Sequence, residues 1–191
     1  MLVEGLSVEP VIINEHEGDV REQWLELGTS YFQQRSEWAA LPAADGPDTW
    51  QQIDVEVDLE RREGEPGESG RRVDIVVPSA STPIVSRSID RAEVSNIDID
   101  QERLSFDVDK VGTPVLVRVS YFPNWKVKGG DGPYRVAPNM MVVVPTSTHV
   151  TLSYEPSGLD NFSYVLTFAG ICMVVWFARR RFRYGTAMPE R

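Results

Sequence analysis

The chain has 191 residues, of which 29 are acidic and 19 basic, giving a formal net charge of −10, and it contains one cysteine. This acidic balance excludes a nucleic-acid-binding protein, because such a protein needs a concentrated basic face. The lone Cys172 excludes an intrachain disulfide. About 158 residues precede a long apolar run, which is enough for one domain with a real core and too few for two.

The first elements along the chain are short strands and one helix. Leu2 to Asn14 is apolar and β-branched, and Pro10 interrupts it, which predicts one or two short edge strands. Val20, Trp24, Leu27 and Tyr31 then recur at spacings of four, three and four, which places them on one helical face. The pattern predicts a helix over about residues 17–40.

From residue 53 onward the pattern is that of many short strands. Apolar and polar residues alternate from Ile53 to Leu59, and the carboxylates of that segment share one solvated face. Glu60 to Arg72 has no apolar residue and predicts an exposed hairpin loop. Further strands are predicted at residues 73–77, 84–89, 94–99, 104–108, 115–121, 140–144 and 150–154. This spacing predicts a mainly β fold, an antiparallel β-sandwich or jelly roll with one N-terminal helix.

No catalytic or metal-binding motif stands out along the chain. The sequence has no phosphate-binding glycine loop, no paired-cysteine or histidine metal spacing and no nucleophile elbow. His16 and His149 lie far apart in the chain and are interpreted as surface or strand-end histidines. Asp98, Asp100, Asp107 and Asp109 could crowd a Ca²⁺ ion if their strands were neighbours, but the loop carbonyls that complete such a site are not evident. No catalytic residue, metal or cofactor is predicted.

The segment YFPNWKVKGGDGPY, from Tyr121 to Tyr134, is the predicted ligand site. Aromatic rings can stack on the apolar face of a sugar, and Asn124, Lys126 and Asp131 could bond hydroxyls or a lipid-linked phosphate. The alternative is that the aromatic side chains fill the core around a proline turn. The candidate contacts for a glycan or lipid head group are Tyr121, Trp125, Lys126 and Tyr134. Glycines 129, 130 and 132 would permit a tight hairpin between Val127 and Tyr134.

Residues 115–156 also carry a family resemblance. Their sequence resembles the C-terminal β-domain of YfhO-like bacterial membrane proteins, which are many-helix proteins of the GT-C glycosyltransferase type. The matching residues are Tyr121, Phe122, Pro123 and Trp125 in an aromatic-proline turn, Val143 to Pro145 at the end of an apolar strand, and Tyr154 and Pro156 before a last helix. With that helix the match covers about 65 residues, while the first half resembles actinobacterial relatives only loosely. The resemblance implies sugar transfer from a polyprenyl-phosphate donor, with the catalytic acid in a part of the parent protein that this chain lacks.

The C-terminal segment predicts a membrane anchor. Phe162 to Ala178 contains no Asp, Glu, Lys, Arg or His, and a basic cluster follows it. The predicted anchor residues are Phe162, Tyr164, Trp176, Arg179, Arg180 and Arg181. These features predict a domain at residues 1–158, a transmembrane helix at residues 159–178 and a basic cytoplasmic tail at residues 179–191. The predicted localisation is the plasma membrane, single-pass, with the N-terminal domain outside and the C-terminus cytoplasmic.

These observations predict an accessory role without catalysis. The chain is expected to be the C-terminal piece of a larger bacterial membrane protein related to glycosyl transfer in the cell envelope, because the residues after Met1 do not form a signal peptide. The expected partners are membrane lipid, the transmembrane helices of the parent protein, and a glycan or polyprenyl-phosphate-linked sugar. The alternative is a stand-alone, membrane-anchored extracytoplasmic binding or scaffold protein.

Overall fold

The computed structural model describes residues 2–14, 20–33, 37–58, 74–156 and 166–177. The chain divides into two compact units after Tyr154. In the described residues the first unit is mainly β, with one helix, α1 (Val20–Gln33). Its strands are β1 (Val3–Gly5), β2 (Val11–Ile13), β3 (Pro42–Ala43), β4 (Gln52–Ile53), β5 (Val55–Val57), β6 (Val76–Pro78), β7 (Val94–Ile99), β8 (Arg103–Val108), β9 (Val115–Val117), β10 (Trp125–Lys128), β11 (Gly130–Val136), β12 (Met140–Pro145) and β13 (His149–Tyr154).

Two larger sheets and one two-stranded sheet organise these strands. The seven-stranded sheet has the order β1-β9-β12-β11-β3-β2-β4, and its pairs are antiparallel except for β2 with β3 and β2 with β4. The four-stranded sheet, β10-β13-β8-β7, is antiparallel throughout. Strands β5 and β6 form the third sheet.

The largest core cluster draws its residues from both larger sheets. The seven-stranded sheet contributes apolar side chains from β1, β9 and β12, and the four-stranded sheet contributes side chains from β8, β10 and β13. Its buried members are Val3, Ala92, Leu104, Phe106, Val108, Val115, Val117, Trp125, Met141, Val143, Val150 and Leu152. In β8 and β13 the inward face is apolar and the outward face polar, which is the period of two that the sequence shows.

Strand β12 is an unbroken apolar run because neither of its faces is exposed. It lies between β9 and β11, and Met141, Val142 and Val143 are all fully buried. Met141 and Val143 belong to the largest cluster, whereas Val142 points the other way, into a third cluster with Trp50 and Leu116. A strand buried on both faces loses the polar alternation seen in half-exposed strands.

Helix α1 packs its apolar face into a second core cluster. Trp24 and Leu27 are buried there, and Tyr31 packs against them. The helix is shorter than the predicted span of about 17–40, since residues 37–40 form a turn and bends before β3. Trp24 also lies under the guanidinium of Arg135, whose Cζ is 4.3 Å from the indole centroid. The apolar face of the helix was therefore predicted correctly at the described positions. The C-terminal end of the helix was predicted too far along the chain.

Ser30 links α1 to β6 and supports a stability prediction. Its buried hydroxyl donates to the carbonyl of Glu26 at 2.6 Å and accepts the amide of Val76 at 2.8 Å. We expect Ser30→Ala to lower the free energy of unfolding by about 1 to 3 kcal/mol, because the Val76 amide loses this partner in a buried position. Thr29→Ala is the matched control. The exposed Thr29 hydroxyl donates to the carbonyl of Leu25, four residues earlier, as the Ser30 hydroxyl does to that of Glu26. Equal losses for the two variants in urea denaturation would contradict the prediction.

Two predicted local structures differ from those found. Residues 84–89 are not a strand, because their β-pairing is limited to an isolated bridge between Ser88 and Val8, while Val85 stays exposed. The predicted hairpin from Val127 to Tyr134 is also wrong, since β10 and β11 belong to different sheets. Gly129, with φ of +84°, makes the sharp passage between those sheets. The predicted loop at 60–72 lies outside the described residues.

The predicted transmembrane helix is corrected by the structure. Within the described residues, no helix is long and apolar enough to cross a membrane. After Tyr154, the described residues 166–177 are helical. The single-pass plasma-membrane localisation, with the N-terminal domain outside, is therefore corrected as well. Of the predicted anchor residues, Trp176 lies exposed on this helix, and Phe162, Tyr164, Arg179, Arg180 and Arg181 lie outside the described residues.

Candidate functional site

The aromatic-proline turn before β10 shapes an aromatic surface groove of the first unit. The carbonyl of Phe122 accepts the amide of Trp125 at 3.1 Å, which closes a turn with Pro123 at its second position, where proline is favoured. The amide of Tyr121 donates to the carbonyl of Asn139 at 2.9 Å and so ties the start of this turn to the residue before β12. Local sequence chemistry thus fixes the positions of Phe122 and Trp125.

Three aromatic rings meet where this turn reaches the end of β13. Trp125 is the register partner of Tyr154, and their ring centroids are 5.5 Å apart in an edge-to-face arrangement. The ring centroids of Phe122 and Tyr154 are 6.4 Å apart, also in an edge-to-face arrangement. Trp125 is 9% exposed, whereas Tyr154 is 37% and Phe122 51% exposed. The indole is therefore the buried ring of the cluster, and the two other rings are accessible to a ligand.

A groove of about 540 Å³ lies against these rings. Its lining also includes Val119 and the polar residues Gln101, Glu102 and Ser120. The amide of Tyr154 donates to the carbonyl of Glu102 at 2.8 Å, which holds the loop before β8 against the end of β13. Among the lining residues Glu102 is the charged one, so the groove combines an aromatic wall with an amide, a hydroxyl and a carboxylate. We call these seven residues the aromatic groove.

The predicted contact residues do not all reach this groove. Trp125 lines it but is largely buried in the core, as the packing interpretation predicted. Lys126 points to the outward face of β10, and its ammonium donates to the carbonyl of Pro123 at 3.3 Å. Tyr121 packs at the edge of the largest core cluster, with its ring centroid 5.8 Å from Cζ of Arg135. Of the four predicted contacts, Trp125 alone lines the groove.

Tyr134 lies in a different part of the fold. It belongs to β11 and packs edge to face on Trp50, with ring centroids 5.5 Å apart, in the third core cluster. Partial burial raises the pKa of its phenol, and the nearby carboxylates of Asp131 and Asp45 act in the same direction. Because β10 and β11 enter different sheets, sequence proximity between Trp125 and Tyr134 does not become spatial proximity.

Sequence reasoning missed most of the groove. Phe122 and Tyr154 were noted as motif residues but not as contact residues, and Gln101, Glu102 and Ser120 were not singled out. The pairing of β10 with β13 is what brings Tyr154 to Trp125, across 29 positions of sequence. The sequence did offer one signal, because the family motif has aromatic residues both in the turn before β10 and at the end of β13.

The structure does not assemble a calcium site from the four aspartates. In the described part of the chain, no group of three or more His, Cys, Asp or Glu residues could hold a metal ion. Asp107 instead accepts hydrogen bonds from Asn96 and His149, and Asp109 accepts the amide of Glu93 at 2.6 Å. Asp100 bonds the amide of Gln101 at 2.7 Å. His16 lies outside the described residues.

Comparison of the chain with protein-family models, with curated proteins and with solved structures gives no match in any of the three. The resemblance to YfhO-like proteins therefore has the quoted motif residues as its whole support.

Proposed function

We propose that the first unit is a saccharide-recognition domain that serves an envelope glycosyl-transfer protein as an accessory part. The observation that carries the proposal is the aromatic groove, in which the exposed rings of Phe122 and Tyr154 contact each other and Tyr154 also contacts the buried indole of Trp125. In this proposal the two larger sheets form a β-sandwich, and the groove lies beside the β10-β13 pair.

The chemistry of the groove suits a sugar ring. One face of a pyranose presents C–H groups and packs on aromatic rings, while hydroxyls at its edge need hydrogen-bonding partners. Phe122 and Tyr154 offer the apolar contact, and Gln101, Glu102 and Ser120 offer donors and acceptors around it. A small number of polar groups on a mainly apolar wall is typical of small-ligand sites. The volume of about 540 Å³ has room for one or two rings.

The link to glycosyl transfer comes from the family resemblance. The motif residues that carry the resemblance include Phe122, Trp125 and Tyr154, and these three are the aromatic members of the aromatic groove. The resemblance implies a polyprenyl-phosphate-linked sugar as donor, so the proposed ligand is the sugar part of the donor or of the envelope acceptor. The domain would hold that sugar while the parent protein performs the transfer.

Substitution of Phe122 tests the proposal. We expect Phe122→Ala to weaken the binding of an oligosaccharide by at least about tenfold, or ~1.4 kcal/mol, because the exposed ring supplies contact area to the ligand. The measurement is isothermal titration of the full chain with oligosaccharides of glucose, mannose, galactose, arabinose and N-acetylglucosamine. The thermal transition should stay within about 2 °C of the unsubstituted protein, since the side chain is half exposed.

Val85→Ala is the matched control, because Val85 is an exposed apolar side chain that does not line the groove. It should leave both binding and the thermal transition unchanged. Two results would overturn the proposal: no binding of any oligosaccharide in the series, or binding that survives Phe122→Ala and Tyr154→Ala at full strength.

A further inference from the structure

The outward face of the four-stranded sheet carries a second, separate site on β8 and β13. The antiparallel register places His149 directly opposite Asp107. Both side chains point away from the core, since the alternate residues Phe106, Val108 and Val150 are buried. His149 Nδ1 lies 2.6 Å from Asp107 Oδ1. The carboxylate accepts the Nδ1 hydrogen, which leaves the lone pair of a neutral imidazole on Nε2.

Asp107 is held in its ionised form by a second partner. Its other oxygen, Oδ2, accepts a hydrogen bond from Asn96 Nδ2 at 2.7 Å. The bonds from Asn96 and His149 lower the pKa of the Asp107 carboxyl below its ordinary value. A carboxylate fixed in this way holds the imidazole ring in one orientation and in one tautomer.

The backbone around Asn96 is shaped for this contact. Strand β7 changes register against β8 between Ser95 and Asp98, and Asn96 has a φ of +50° within that irregularity. A positive φ is unfavourable for a residue other than glycine, although asparagine tolerates it best. Bulges re-aim side chains, and this one directs the amide of Asn96 to Asp107. Such local strain is enriched at functional sites.

The Thr151 hydroxyl lies beside Nε2 of His149, the ring nitrogen that does not contact Asp107. Thr151, two residues after His149 on the same face of β13, has its Oγ1 3.4 Å from His149 Nε2. Asp107, His149 and Thr151 thus follow the order carboxylate, imidazole, hydroxyl. That constellation is recognised by geometry and roles and not by sequence position. The distance from hydroxyl to imidazole is long, as is common before a substrate is bound.

We propose that Thr151 is a nucleophile that His149 and Asp107 activate for acyl transfer from small activated esters. Thr151 Oγ1 attacks the ester carbonyl carbon and forms a C–O bond, while His149 Nε2 takes the hydroxyl proton. The bond from that carbon to the leaving oxygen breaks, and the alcohol departs with the proton from His149. Water then attacks the acyl group, again passing a proton to His149, which releases the carboxylic acid and restores the hydroxyl.

The neighbouring charges favour this assignment. Lys128 on β10 is the register partner of Thr151, which places a cationic residue beside it in the sheet. A cation near the carbonyl oxygen would stabilise the negative charge that develops there. Arg103 and Lys126 flank Ser153 one pair further along the same face. On the β8 side, the charged group facing His149 is Asp107. The site is thus anionic on one side of the imidazole and cationic on the other.

The test uses p-nitrophenyl acetate with the full chain. We expect acetylation at Thr151, seen as an added acetyl group by peptide mass mapping and removed by hydroxylamine, together with release of p-nitrophenol. Thr151→Val and His149→Ala should each reduce the acetylation rate at this position by at least about 100-fold. Thr151→Ser keeps the hydroxyl and should retain acetylation at residue 151.

Asp107 is a positioning residue, and its variant separates positioning from folding. Asp107→Asn should lower the maximal acetylation rate. It should leave both the half-saturating ester concentration and the thermal transition unchanged. Three results would overturn the proposal: hydroxylamine-resistant acetyl groups on Lys126 or Lys128 with none on Thr151, an ester turnover that Thr151→Val leaves unchanged, or equal acetylation of the exposed Thr148. None of these results bears on saccharide binding at the aromatic groove.

Discussion

Replacing Trp125 by alanine is expected to lower the free energy of unfolding by about 3 to 5 kcal/mol. The indole is 9% exposed, belongs to the largest core cluster and packs edge to face on Tyr154. Its removal leaves a cavity between the two larger sheets as well as losing apolar contact area. Urea denaturation of the full chain, followed by circular dichroism, measures the change.

Phe122→Ala is the control for this variant, because its ring lies in the same turn but is half exposed. It should cost less than about 1 kcal/mol. A Trp125→Ala protein that unfolds at the same urea concentration as the unsubstituted chain would contradict the burial of the indole. Loss of saccharide binding in Trp125→Ala alone would therefore say little about contact, which is why the groove is tested at Phe122.

The second large effect is expected at Gly129, where the chain passes from β10 to β11. A Cβ at this position would lie 2.3 Å from the carbonyl oxygen of His149, and its φ is +84°. The backbone is also held in place, since the Gly129 carbonyl accepts the amides of Thr146 and Ser147 at 2.9 and 3.0 Å. We expect Gly129→Ala to destabilise the first unit through both the backbone conformation and the clash.

Gly112→Ala separates these two contributions. Gly112 has a similar φ of +78°, but a Cβ there would have no atom within 4 Å. This control should cost about 1 to 2 kcal/mol for its conformation. Gly129→Ala should cost about 1 to 3 kcal/mol more, which is the usual cost of overpacking. Equal urea midpoints for the two variants would show that β11 can move away from His149 and would contradict the described packing.

The sequence predicted the elements whose pattern is local. Alternation identified β8 and β13, and the apolar run identified β12, because side-chain burial follows the geometry of a strand. The strand predicted at residues 115–121 is shorter in the structure, since β9 ends at Val117. The same reasoning placed Trp24, Leu27 and Tyr31 on one face of α1. Residues 84–89 have a strand-like composition, yet they find no continuous partner strand. Their state depends on tertiary pairing, which composition does not encode.

The candidate sites depended on pairings that local patterns do not reveal. Trp125 was predicted, but Tyr154 reaches it only through the register of β10 with β13. His149 and Asp107 are 42 positions apart and meet through the register of β13 with β8. The glycine-rich stretch after Trp125 suggested a hairpin, whereas it leads the chain into another sheet. Long-range register therefore determines both sites, and it is set by the packing of the whole core.

The measurement that tests the aromatic groove most directly is a protein-observed NMR titration of the full isotope-labelled chain with the same oligosaccharides. Saturable chemical-shift changes should concentrate at the Trp125 indole, at Phe122 and Tyr154, and at the backbone of Gln101, Glu102 and Ser120. Changes centred on Trp50 and Tyr134, or no saturable change with any oligosaccharide, would contradict saccharide recognition at this groove.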